Sequence, residues 1–266
     1  MSLLPFWPAA ALTTSDDIDT NRPSFTSSPL VVPRGSLQLE NGALYQHFQH
    51  GSNYVDASET EVRFGLTKRT EFQMFVPSWV LLNSNGGTAT ATSTARATAH
   101  VIETPGGTQS GVSDITEAGV KHQFGPFFKD LNIGFIGGVT VPTGATFISG
   151  SGVQPVLRMP WNKALSKNWS LCGMQSLLVV HAGRDVQWQN FWLLCRALGP
   201  RTTVFTEYAG FYTHQFQPLN FAHFGVVRKL NRSNQLDLHF GFGLNKSAPA
   251  AFVGVGYSVR FDRLAW

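Results

Sequence analysis

From Ser36 onward, apolar side chains return at every second position in a succession of short segments. The clearest is Gln235–Leu244. Leu236, Leu238, Phe240, Phe242 and Leu244 fall on one face, and Asp237, His239, Gly241 and Gly243 on the other. A period of two is the signature of a β-strand with two unlike faces. Near the end of the chain, Val253, Val255, Tyr257, Val259 and Phe261 alternate with Gly254, Gly256, Ser258 and Arg260. Earlier, Leu37, Leu39, Ala43 and Tyr45 alternate with Gln38, Glu40 and Gly42, and Val62, Phe64 and Leu66 with Glu61, Arg63 and Gly65. Phe72 and Met74 oppose Glu71 and Gln73, and Ile133 and Phe135 oppose Asn132 and Gly134. Weaker alternation covers residues 153–161, 169–180, 187–198, 202–213 and 219–229. The pattern predicts about twelve antiparallel strands of roughly 9–11 residues, the length that crosses a bilayer at a steep tilt.

The connections alternate in length. Those near residues 68, 126, 165, 200 and 232 are short, and those near 50, 83–111, 145–151, 182–186 and 213–217 are generally longer. Long loops on one side and tight turns on the other are expected of an up-and-down barrel with an even strand number. The segment 83–111 is rich in Thr, Ala and Gly and reads as a mobile loop. Charged residues make up 14% of the chain, well below the roughly 25% of ordinary soluble proteins. No stretch approaches the ~20 consecutive apolar residues of a membrane helix, while alternation hides a membrane barrel from hydropathy averaging.

Two orientations of such a sheet compete: apolar face inward, as in a soluble sandwich, or outward, against lipid. Glycine decides between them. Gly65, Gly119, Gly134, Gly138, Gly241, Gly243, Gly254 and Gly256 share the face that carries the charges. Glycine weakens a strand and gains nothing on a face that merely meets water, but it suits a crowded, tightly coiled interior. The other face reads as uniformly large and apolar, without small fillers, as lipid permits. The expected fold is therefore all-β: a closed antiparallel up-and-down transmembrane β-barrel of about 12 strands over residues 36–266. Trp79, Phe124, Phe127, Phe128, Trp161, Trp169, Trp188, Trp192 and Phe261 stand near strand ends, where interfacial aromatic girdles form.

Residues 1–35 form a separate N-terminal lead-in. The apolar run Leu3–Leu12 reads as the remnant of an export signal or as an unrelated extension. Residues 13–35, with Pro23, Pro29 and Pro33, read as extended chain. They serve either as a periplasmic tail or as a lumen plug, in which case Arg22 and Arg34 would meet lumen carboxylates. Cys172 and Cys195 lie about evenly on either side of a hairpin tip near Gly183. They are expected as two free thiols on one side rather than a strained cross-strand disulfide.

Several fragments together resemble the phenol meta-pathway degradation transporter family of outer-membrane β-barrels. They are the lead-in "DTNRPSFTSSPLVVPRGSLQLENGALYQ", the turn "RFGLTKRTEFQM", the central "GVSDITEAGVKHQF" and "GVTVPTG", and the closing "QLDLHFGFGLNKSAPAAFVGVGYSVRF". The resemblance implies a porin-like barrel of the Gram-negative outer membrane, linked to phenol degradation and admitting small, often aromatic, compounds.

Read from the residues, the polar face would line a lumen, with Glu59, Glu61, Arg63, Glu117, Lys121, Glu207, Asp237, His239 and Arg260 as its charged groups and Glu40 and Glu71 on the same face. Such a lumen orients small solutes without holding them tightly, as passive uptake requires. The alternatives are a non-conducting structural or interaction barrel closed by its own ion pairs and, with less support, an outer-membrane hydrolase built near His181, Arg184 and Asp185 or Tyr212 and His214. Neither of those groups has a recognisable nucleophile partner. No metal spacing, phosphate loop or cofactor motif is present, so no metal, cofactor or catalytic residue is expected. Expected partners are outer-membrane lipid, a small-molecule solute and, through a C-terminal strand ending in Phe261 or Trp266, the barrel-assembly machinery. No basic cluster interleaved with aromatics points to nucleic acid. Lys68, Arg69, Lys129, Lys163, Lys167, Arg201, Lys229 and Arg232 gather on the short turns, which makes one mouth basic and able to attract anions or anionic headgroups.

Overall fold

The computed structural model describes residues 17–104, 106–128, 130–150, 152–180, 183–214, 216–262 and 264. The Leu3–Leu12 run, Lys129, His181 and Trp266 lie outside them. Among the described residues seventeen strands are formed, from β1 (Leu37–His47) to β17 (Ala251–Phe261). Twelve barrel staves result, because three early staves are each built from two strands in line. These are β2 (Asn53–Ala57) with β3 (Glu61–Gly65), β4 (Thr70–Phe75) with β5 (Trp79–Ser84), and β8 (Gly107–Val112) with β9 (Ile115–Phe127). The remaining staves are β10 (Leu131–Val141), β11 (Gln154–Ala164), β12 (Trp169–Val180), β13 (Asp185–Ala197), β14 (Thr202–Tyr212), β15 (Leu219–Lys229) and β16 (Asn234–Gly243), with β1 and β17. The barrel closes where β17 pairs antiparallel with β1, from Leu37↔Phe261 to His47↔Ala251. Closure leaves the membrane-spanning wall no unpaired edge, as a sheet in hydrocarbon requires; only β8, at the long-loop end, pairs on one side alone, with β5.

The faces point as the glycines indicate. Leu238, Phe240 and Val255 are 49%, 52% and 53% exposed, whereas Glu40, Arg63 and Lys121 are fully buried. A soluble sandwich would show the reverse. Trp79, Trp169, Trp188, Trp192 and Phe261 all face outward and exposed. Both ends of the barrel sequence lie on the short-turn side.

Bulges break the alternation, two of them beside the buried charges. Between Ala43↔Ala57 and Glu40↔Glu61 the β2–β3 stave carries one residue more than β1. Ser58, with φ of 52°, absorbs it. The inward phase thereby flips, so that Asp56 and Glu59 both enter the lumen. A second extra residue lies on β9 between Gln73↔Gly119 and Phe75↔Thr116, where Glu117 adopts φ of 51°.

The segment 83–111 departs from the expected mobile loop. It continues β5, turns back as the hairpin β6 (Gly87–Ser93) and β7 (Thr98–Thr104), and resumes the wall as β8. Its tip folds into the barrel: Thr94, Arg96 and Ala97 are buried. Tyr54, Val80, Leu82, Ala91, Ile102 and Ile148 pack as one apolar cluster beneath it. Small Thr and Ala side chains, read as a sign of mobility, instead let a hairpin fit inside a narrow barrel.

Candidate functional site

The lumen is occupied by two segments that come in from opposite mouths. From the short-turn mouth, the lead-in enters beside Ile18, whose N–H donates to the Arg232 carbonyl at 2.7 Å. It rises to Phe25, descends, and joins β1 after Gly35 bonds Gly65 at 2.8 Å. From the long-loop mouth comes the β6–β7 hairpin. They meet on Glu59. One of its oxygens accepts from the Arg22 guanidinium at 2.9 Å, the other from the Ser93 hydroxyl of the hairpin at 2.6 Å.

Arg22 lies over a floor made by the cross-strand pair Gly42↔Gly256. A Cβ on Gly42 would come within 2.1 Å of its Cζ, and one on Gly256 within 2.5 Å of its Nε. Absence of side chains at these two positions is what lets the guanidinium lie flat between Glu59 and Asp237, the latter at 3.5 Å. Burial alone would lower its pKa, but the facing carboxylates, Glu59 and Asp237 first, outweigh this and hold it above the ordinary arginine value.

Deeper along β1, β3 and β4, Arg63 bonds Glu40 at 2.8 Å and Glu71 at 2.9 Å, and donates to the carbonyls of Asp19 and Leu30 in the lead-in. Lys121 reaches Glu71 at 3.0 Å and the Asn21 side chain at 3.1 Å. Asn21 donates to both oxygens of Glu61. The bulge at Glu117 aims its carboxylate at Arg158 and Gln73. Arg158 in turn holds the hairpin by the Arg96 carbonyl at 2.8 Å, and Arg96 pairs with Asp56. Among these described groups, each buried cation faces at least one carboxylate, the condition under which charge survives burial.

The other wall of the lumen is apolar. Phe25 at the apex of the lead-in packs within 6.0 Å, ring centre to ring centre, of Phe191, Phe211, Phe221 and Phe252. Beneath it, Glu207 accepts from the Phe25 and Thr26 amides at 3.0 and 2.8 Å and from His223 at 2.7 Å. His223 continues to His239 at 3.0 Å.

All nine expected lumen residues, Glu59, Glu61, Arg63, Glu117, Lys121, Glu207, Asp237, His239 and Arg260, therefore lie buried on the inward face, most of them joined by the lead-in and the hairpin. Arg260 sits at the short-turn mouth and pairs with Asp262. Arg34 corrects the expectation of a plug contact. It is exposed at the rim, bridged through its backbone to Gly65, and pairs with no carboxylate among the described residues. The chain has already left the lumen there. Cys172 and Cys195 are free and share the lumen face, but they do not sit opposite one another. Cys172 pairs with Leu193 and Cys195 with Ser170, two residues out of step. Arg184 and His214 are exposed in long-side loops. Sequence reasoning missed Asp56, Arg96, Arg158, His223 and the phenylalanine wall. Only His223 carried a signal, through its place two residues from Phe221 on one face of β15.

Comparison places this geometry among known barrels. The fold has the architecture of outer-membrane barrels, channels and porins among them. A family model described as "Putative MetA-pathway of phenol degradation" matches residues 20–261, and the chain belongs to that family. Among solved structures, it is similar to an outer membrane channel from Pseudomonas putida F1, with 12% identity, 88% of this chain and 98% of that chain covered, and a TM-score of 0.64. It is also similar to the NanC porin, with 8% identity, coverage of 84% and 98%, and a TM-score of 0.53. No curated protein matches the sequence.

Proposed function

We propose that the protein is a gated passive channel for small compounds, aromatic ones among them, and that it performs no chemistry on them. One observation carries this reading. The lumen is closed by two chain segments that dock onto the inward side chains of the wall, so displacing them opens a path without unfolding the barrel. That path has a charged wall along β1–β4 and β9 and an aromatic wall along β13–β15 and β17. Such a duct suits solutes with a flat apolar body and one or two polar groups, which slide along both walls without a tight site on either. On this reading β17, closing against β1 and ending in outward Phe261, is also the strand that the assembly machinery engages.

The ion pairs of the lumen favour a second reading, a closed structural barrel. Uptake into liposomes separates the two. With residues 88–104 replaced by a short Gly-Ser link and Arg22 changed to alanine, so that both segments are released, influx of a phenol is expected to exceed that of a sugar of similar size, and both to exceed influx through the intact protein. No influx of either solute through the shortened barrel supports the structural reading instead.

A further inference from the structure

The lipid-facing wall is not uniformly large and apolar. Across β12–β15, one row of outward positions carries Gln175, Asn190, Gly210 and Asn220, paired in register. Gln175 and Asn190 stand near the midpoints of their strands, where an amide faces hydrocarbon at a cost. Gln175 donates to Asn190 at 3.2 Å and accepts from the Trp161 indole at 3.3 Å. Nearer the long-loop rim, Tyr208 and Tyr212 hydroxyls bond each other at 2.7 Å and converge on the Asn220 oxygen. The side-chain NH2 groups of Asn190 and Asn220 have no partner among the described residues. Two outward glycines complete the surface. A Cβ on Gly173 would strike the Trp161 ring at 2.6 Å, and one on Gly210 the Tyr212 hydroxyl at 2.5 Å. Both rings therefore lie flat against the wall.

Beside this row runs a groove of about 330 Å³. Thr206 and Ala222 form its low floor, and Leu171, Trp192, Leu194 and Tyr208 its sides. It ends toward the rim at Leu244, whose N–H bonds the Asn220 carbonyl at 2.7 Å. A smooth lipid-facing wall needs neither amides nor a furrow.

We infer that this groove binds one hydroxylated acyl chain of the outer-leaflet glycolipid. The short turns face the periplasm in barrels of this kind, so the rim beside Asn220 stands in the outer leaflet. There the hydroxyl and amide groups that join an acyl chain to its sugar lie at the depth of the Tyr208–Tyr212–Asn220 cluster. The apolar remainder of the chain runs down the groove between Trp192 and Tyr208, over Thr206 and Ala222. A diacyl phospholipid has only ester carbonyls at that level, which accept from the asparagine NH2 groups but cannot donate to the tyrosine oxygens, whereas a chain hydroxyl does both. No lysine or arginine lines the groove, so recognition rests on neutral hydrogen bonds rather than on phosphate.

The test uses the full-length barrel in nanodiscs of mixed phospholipid and lipopolysaccharide, with co-retained lipid counted by native mass spectrometry. The wild-type protein is expected to retain glycolipid over phospholipid by about tenfold, equivalent to ~1.4 kcal/mol. Thr206→Trp, which fills the floor, and the double change Asn190→Leu with Asn220→Leu should each abolish that preference. Val253→Trp, on another part of the lipid-facing wall, should leave it intact. Absence of preference in the wild type overturns the inference. So does preference that survives Thr206→Trp, or a dimer whose contact covers the groove.

Discussion

Replacing Arg22 by alanine is expected to raise the conductance of the barrel in planar bilayers by roughly a hundredfold. Arg22 is the cation that ties the lead-in to the wall, between Glu59 and Asp237 over the Gly42–Gly256 floor. Its loss leaves those two carboxylates buried without their counter-charge. Removing one partner of a buried pair typically costs about 3–5 kcal/mol. That cost falls on the plugged state alone, because once the lead-in withdraws, water reaches the lumen. Each 1.4 kcal/mol shifts a two-state population about tenfold, so part of the cost suffices for a hundredfold shift. Hydrogen exchange over residues 20–32 should rise in parallel. Unchanged conductance with fast exchange would mean that the lead-in is not what blocks the path. Unchanged values of both would mean that Phe25 and Glu207 alone hold it.

The second large effect is on stability. Arg63→Ala is expected to lower the unfolding free energy by about 3–5 kcal/mol. The change removes the group that faces Glu40 and Glu71 and leaves Lys121 as the nearby cation. It also frees the carbonyls of Asp19 and Leu30, so the lead-in loosens as well. Arg63→Met combined with Glu71→Leu should recover part of the loss, since well-packed apolar groups can replace a buried pair at little net cost. Urea unfolding from detergent, followed by tryptophan fluorescence, measures both variants. A loss under 1 kcal/mol for Arg63→Ala would mean that water already reaches the cluster.

Much of the barrel is legible in the sequence where alternation is strict. The register at the β1–β17 closure follows from Leu37, Leu39 and Tyr45 opposing Phe261, Val259 and Val253, and glycine gave the direction of the faces. The bulges were hidden. Ser58 and Glu117 take left-handed backbone without being glycine, so nothing in their identity marks the phase change that turns Asp56 and Glu59 inward together. The apolar half of the lumen was hidden for another reason. In β14 and β15, Phe205, Phe211 and Phe221 point inward while Thr206, Tyr208 and Asn220 point outward, so polarity does not distinguish the faces. The hairpin tip Thr94–Ala97 carries one charge, Arg96, whose partner Asp56 is forty residues away, and composition alone cannot supply a contact at that distance.

Which face meets hydrocarbon is tested most directly by photolabelling the wild-type protein in a bilayer that contains a carbene-generating lipid, then mapping the adducts by mass spectrometry. Adducts are expected on Leu238, Phe240, Val253 and Val255, with none on Gln38, Glu40, Asp237 or His239. Adducts on the second group, or none on the first, would contradict the orientation on which the lumen, its two plugs and the outer groove all depend.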